Sequence, residues 1–208
     1  MKGLLLKDFY MTVKSCKMYF IVDALFIIMS FAFSGIADDS FTVLMFPILI
    51  AGEISISLMN HEEKSQWTKY SNTLPYSAGQ IVSSKYIFSI LFVLFTTLVT
   101  FLAVIIYVNI IGGAELSQAG AVVGGICIVS LIVPAVGLPL CFKFGTERGR
   151  IIFFFALFLG AFGIGALGSD ALAKIDHMVW IIIAAAVVIY ALSWFISVSI
   201  YSKREVTG

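Results

Sequence analysis

The chain has 208 residues, of which 61% are hydrophobic and 12% charged, with a formal net charge of +1 and a mean hydropathy of +1.06. A soluble domain carries about 45–50% apolar and about 25% charged residues, so one soluble core cannot absorb this excess. These values exclude a disordered chain and a disulfide scaffold, describe an integral membrane protein, and give no electrostatic basis for nucleic-acid binding.

In chain order, Leu4–Cys16 comes first. Leu6, Phe9, Tyr10 and Val13 recur at helical spacing, while Lys7, Asp8, Lys14 and Ser15 fill much of the remaining wheel. That pattern predicts a short amphipathic helix lying in the membrane interface, in contact with lipid. The next apolar run is too long for the core of a signal peptide and lacks an A-x-A-like exit, so no cleavable signal is expected.

Six apolar runs follow, at Tyr19–Ala37, Phe41–Met59, Tyr86–Ile111, Ala119–Phe142, Ile151–Gly168 and Met178–Tyr201. At about 1.5 Å per residue each can cross roughly 30 Å of hydrocarbon. Alternation of period two is absent, so helices are expected rather than a barrel. The expected fold is therefore all-α, one transmembrane domain over residues 1–208 with six spans. Pro47, Pro134 and Pro139 should kink or locally open the second and fourth helices. Gly120-x-x-x-Gly124 and Ala121-x-x-x-Gly125, with Ala156-x-x-x-Gly160 and Ala161-x-x-x-Gly165, mark close helix contacts.

Between the second and third runs lies the longest polar stretch, Asn60–Lys85. Trp67 and Tyr70 suit the headgroup level on one short helix, Glu62–Tyr70. Leu74-Pro75 breaks it, because the residue before a proline avoids the helical region. Ser77 and Gln80 then form a capping box, which predicts a second short helix over about Ala78–Ser84.

Of the 13 basic residues, Lys174 alone falls on the far side of the membrane, beside Asp38, Asp39, Glu115, Asp170 and Asp176. The positive-inside rule then places both termini in the cytoplasm. Asp23 and Glu53 fall within spans, each roughly 9–11 Å from the cytoplasmic edge. Acids at that depth usually face a bundle interior or a wet cavity. The plainer alternative is a local hydrogen bond, Asp23 to Lys17 and Glu53 to Ser57. The spans otherwise hold no buried base.

Several chemical motifs nearly form. His61-Glu62-Glu63-Lys64-Ser65 starts like H-E-x-x-H, but Ser65 stands where the second zinc ligand belongs. The Glu62-Glu63 pair of a CAAX-type membrane protease would need an arginine where Trp67 stands. Cys16, Cys127 and Cys141 lack C-x-x-C spacing and suit packing. No metal site is expected. A phosphate-binding loop is absent and no soluble segment could house a nucleotide fold, so ATP hydrolysis would need another chain.

Met1-Lys2-Gly3-Leu4-Leu5-Leu6-Lys7-Asp8, Glu62-Glu63-Lys64-Ser65-Gln66-Trp67 and Leu74-Pro75-Tyr76-Ser77 through Ile81-Val82-Ser83-Ser84-Lys85-Tyr86 together resemble bacterial ABC-2-type exporter permeases. The tail Tyr201-Ser202-Lys203-Arg204-Glu205 fits as well, and the likeness covers the whole chain in length and span count. Within that family the chain most resembles the subgroup that exports amphipathic peptides such as phenol-soluble modulins.

The resemblance implies a permease subunit in the bacterial plasma membrane that performs no covalent chemistry. It implies a dimer bound to two ABC ATPase subunits, expected as a homodimer with a pair of paralogous permeases as the alternative, and with ATP and magnesium held on the ATPase subunits. The N-terminal interfacial helix corresponds to Leu4–Cys16, and a coupling helix docking on the ATPase corresponds to Pro75–Ser84. Leu74, Tyr76 and Ile81 would then be apolar anchors, with Pro75, Ser77 and Gln80 fixing the helix start. Many relatives carry a basic residue just after this Leu-Pro-x-Ser element, where this chain has Ala78-Gly79. Asp23 and Glu53 would lie on the path of an amphipathic or hydrophobic cargo with cationic character; hydrophobic drugs or lipids are the alternatives. A proton-coupled transporter using the two acids, or a membrane scaffold, are the rival classes, and no inverted repeat supports the former.

Overall fold

The computed structural model describes residues 2–15, 17–33, 40–67, 75–111, 116–155 and 179–207. Among these residues all regular structure is helical. The helices are α1 (Lys2–Ser15), α2 (Lys17–Ala32), α3 (Ser40–Val43), α4 (Phe46–Ala51), α5 (Ile54–Lys64), α6 (Ala78–Ile111), α7 (Leu116–Phe144) and α8 (Val179–Thr207). A further helical segment covers 146–155. Among the described residues three helices are long and apolar enough to cross a membrane: α6, α7 and Ala184–Lys203 within α8. A fourth arises if α1 and α2, bent by 61° at their junction, count together.

One expected span differs from this picture and another lies mostly outside the described residues. The run 41–59 is not one helix but α3, α4 and the start of α5, separated by turns closed by Met45 N–H to Thr42 O and Glu53 N–H to Ile50 O, both 3.0 Å. The causes are local: Pro47 sits in the first turn of α4, where its missing N–H is harmless, and Gly52 follows α4. The expected fifth span, with the small-residue pairs that begin at Ala156 and Ala161, lies outside the described residues beyond Phe155.

Residues 78–84 do not form a short helix of their own. They are the first two turns of α6, 34 residues long, because nothing between Ser84 and Tyr86 interrupts the hydrogen-bond ladder. The capping box closes its start, with Ser77 N–H donating to Gln80 Oε1 at 3.3 Å and Gln80 N–H to Ser77 Oγ at 3.4 Å.

The bundle buries hydroxyls together with apolar side chains and exposes large apolar side chains on its outside. In α6, Ser89 and Thr100 are fully buried, whereas Leu91, Leu94, Leu98 and Leu102 are exposed. Hydrocarbon is a good solvent for leucine and a poor one for hydroxyls, so this placement of hydroxyls inside and leucines outside suits a bilayer.

Pro134 and Pro139 leave α7 helical throughout its length. Each removes an N–H and frees the carbonyl four residues back, at Ser130 and Ala135. Both carbonyls face a neighbour. Gly52 lies so close to the Ser130 carbonyl that a Cβ there would come within 2.5 Å of the oxygen. Ser193 of α8 donates its hydroxyl to Ala135 O. Ser193 also meets Tyr86 Oη at 2.6 Å, with Ser197 on the other side at 2.8 Å. A proline in α7 and a serine in α8 thus lock the three long helices together.

Leu4 of α1, Phe142 of α7 and Tyr201 of α8 belong to one apolar cluster with Ile81 and Tyr86, so both ends of the chain lie at the same end of the bundle. The other end is packed around Leu44, Ile48, Val104 and Val123.

Candidate functional site

The shared end carries the chemistry. Viewed down α1, Leu4, Asp8 and Thr12 form its buried stripe, at 3%, 0% and 1% exposure, while Leu6, Phe9, Tyr10 and Val13 face outward. The outward four are the apolar face proposed to lie in the interface. The inward face is unexpected, because it carries a carboxylate into the protein.

That carboxylate meets a lysine from α6. Lys85 Nζ lies 2.7 Å from Asp8 Oδ1 and 2.5 Å from Glu62 Oε1 of α5. Lys7 completes the group, 3.1 Å from Asp8 and paired with Glu62 as well. Its ammonium also stands over the Trp67 ring, 4.3 Å from the centroid. Two cations and two anions from three helices therefore form a neutral cluster in which Lys85 is 2% exposed. Buried ions persist only when paired and hydrogen-bonded; Asp8 Oδ1 and Glu62 Oε1 supply this for Lys85, while Asp8 Oδ2 is buried without a hydrogen-bond partner among the described residues.

Lys85 corrects the expectation that the interior holds no base. Its position was legible in principle: Ile81, Lys85, Phe88, Phe92 and Thr96 fall on one face once α6 is continuous through residue 85. Treating 78–84 as a separate helix hid that register. Asp8 gave a similar cue, as the middle member of the i, i+4, i+8 set Leu4, Asp8, Thr12.

The coupling residues divide. Pro75, Ser77 and Gln80 are exposed, Tyr76 is half-buried with its hydroxyl near Gly3 of α1, and Leu74 lies outside the described residues. Ile81, expected as an outward anchor, is instead 6% exposed and packed in the chain's own core. The continuous α6 turns it inward, one helical turn ahead of Lys85.

Glu62 and Glu63 point in different directions. Glu62 enters the charge cluster, while Glu63 accepts the backbone N–H of Thr146 at 2.9 Å and its hydroxyl too, capping the helical segment 146–155. The turn before it needs Gly145, whose φ of 85° suits glycine.

Glu53 and Asp23 are not joined to one another among the described contacts. Glu53, at the break between α4 and α5, pairs with Arg150 of the segment 146–155, Nη2 to Oε2 at 3.1 Å. Asp23 is half-buried in α2, with Oδ1 enclosed and lacking a hydrogen-bond partner among the described residues.

Among the described residues no group of three or more His, Cys, Asp or Glu side chains could hold a metal ion. No curated protein and no solved structure matches the chain. A family model described as ABC-2 family transporter protein matches residues 3–202, which takes in α1, the charge cluster, the Glu53–Arg150 pair and the three long helices. A multi-pass helical chain matched over nearly its whole length belongs to the ABC-2 transporter family and is a membrane-spanning, non-catalytic component of an ABC transporter.

Proposed function

We propose that this chain is the permease subunit of an ATP-driven exporter that carries amphipathic, cationic peptides out of a bacterial cell. In this reading it crosses the plasma membrane six times with both termini in the cytoplasm. Two copies pair around the path, and each engages one ATPase subunit that holds ATP and magnesium. The family match over residues 3–202 carries the exporter part of the reading. The cargo class is supported by Asp23 and Glu53, acids placed in or beside the apolar helices where an anionic cargo would be repelled.

The coupling step follows from α6. ATP-driven closure of the partner would press on Pro75, Ser77 and Gln80, the exposed start of that helix. A helix transmits a push along its axis, and Lys85 is only two turns further on. Through Lys85 the displacement reaches Asp8 on α1 and Glu62 on α5, so three elements would shift together. Two packings of the bundle, open inward and open outward, are then biased by the nucleotide state.

The test is co-purification of an ATPase subunit with this chain, followed by ATP hydrolysis with and without a lysine-bearing amphipathic peptide. Copies should be counted by native mass spectrometry. Hydrolysis stimulated by the peptide supports the reading. A copurifying ATPase that responds only to an uncharged hydrophobic drug or lipid would replace the peptide with those cargoes, and the absence of any ATPase would overturn the exporter.

A further inference from the structure

The Glu53–Arg150 pair occupies an unusual place. Glu53 sits at the break after α4, between Ala51 and Ile54, which are 1% and 0% exposed. Arg150 comes from a separate segment, 97 positions on, yet its guanidinium closes to 3.1 Å. The pair is not sealed, because the two side chains are 39% and 20% exposed for Arg150 and Glu53 respectively. The charge cluster around Lys85 is enclosed at its centre, with the side chains of Asp8 at 0% and Lys85 at 3%, and opens only at its rim, where Lys7 is 20% exposed.

An open ion pair flanked by apolar residues needs water or a polar visitor beside it, since lipid would penalise both charges. Arg150 has a second neighbour in the same position. Its guanidinium lies 5.7 Å from the ring of Phe154, one turn further along its own helix. A cation displaced from Glu53 could remain over that ring, so release does not strand a bare charge.

We propose that Arg150 is the resident stand-in for the cargo's cation: it neutralises Glu53 when the path is empty, and a lysine or arginine of the cargo displaces it. This rests on the cationic-peptide reading above and adds a specificity residue to it. Arg150 then sets a threshold. Only a cargo group that competes with an intramolecular guanidinium for one carboxylate gains entry, so weakly basic or neutral molecules are selected against.

The experiment uses the complex of this chain with its ATPase in lipid nanodiscs. Peptide-stimulated ATP hydrolysis is measured with a synthetic amphipathic peptide bearing lysines, and with its counterpart bearing glutamines. In Arg150→Gln the half-saturating concentration of the lysine peptide should fall by roughly two- to fivefold, the size of a partly exposed ion pair, while the glutamine peptide changes little. The exchanged pair, Glu53→Arg with Arg150→Glu, keeps the contact but reverses the acceptor, and should lose its preference for the lysine peptide. An exchanged variant that behaves like the unmodified complex would show a purely structural pair and overturn the proposal. So would an Arg150→Gln variant with unchanged response, or with an equal change for both peptides. If neither peptide stimulates the unmodified complex, the cargo reading itself fails and the displacement falls with it.

Discussion

Lys85 Nζ and Asp8 Oδ1 lie 2.7 Å apart although the two residues are 77 positions apart in the chain. The contact ties the N-terminal amphipathic helix to the first turns of the longest helix in the bundle, and Glu62 draws the broken second run into the same group. Removing one member leaves charge with no outlet. Lys85→Met should therefore cost about 3–5 kcal/mol, read as a lower melting temperature of the purified protein in detergent. Adding Glu62→Met should recover much of that loss, because Lys7 and Asp8 then remain as a matched pair. A double variant no more stable than the single would show that the cluster is not held by charge balance.

The start of α6 separates capping from docking. Ser77→Ala removes one side of a capping box that is exposed and long, at 3.4 Å, so a loss of about 0.5 kcal/mol is expected. A photoreactive side chain at Gln80 should cross-link to the ATPase subunit. The same group at Ile81 should not, because Ile81 points into the core. Cross-linking from Ile81 alone would reverse the facing of this helix.

Gly52 and Gly137 make a matched comparison. A Cβ at Gly52 meets the Ser130 carbonyl at 2.5 Å, a backbone atom that cannot move without α7. One at Gly137 meets Ile56 Cδ1 at 2.3 Å, the free end of a flexible side chain. Gly52→Ala should cost about 1–3 kcal/mol through overpacking, whereas Gly137→Ala should cost less and regain some helix propensity. Equal melting temperatures for the two variants would refute the close approach at Gly52.

Tyr86→Phe tests the lock between the long helices. It keeps the ring packing against Tyr190, at 5.2 Å between centroids, and removes only the hydroxyl shared with Ser193 and Ser197. About 1–3 kcal/mol should be lost, since buried hydroxyls are left with fewer partners. Ser193→Ala should cost at least as much, because it also abandons the Ala135 carbonyl freed by Pro139.

The sequence by itself determined what composition and local chemistry decide. Mean hydropathy, the long apolar runs and the lack of period-two alternation gave an all-helical membrane chain. Local stereochemistry gave a disturbance of the second run near Pro47, though not its division into separate helices, and the capping box of Ser77 with Gln80. It gave the outward stripe of Leu6, Phe9, Tyr10 and Val13 too, because helical spacing is a property of neighbours in sequence. The resemblance in Lys7-Asp8, Glu62-Glu63 and Ser84-Lys85-Tyr86 pointed to the family, and those same segments meet in the charge cluster.

The tertiary structure decided which charges pair. Lys85 with Asp8, Glu63 with Thr146 and Glu53 with Arg150 each join residues on separate helices, and no spacing along the chain encodes such a contact. It also decided that α6 runs unbroken from Ala78, which turned Ile81 inward and buried Lys85 beside it. The fate of the carbonyls freed by Pro134 and Pro139 was decided the same way. Sequence shows that a proline leaves a carbonyl without its donor, but only packing brings Gly52 and Ser193 to those oxygens.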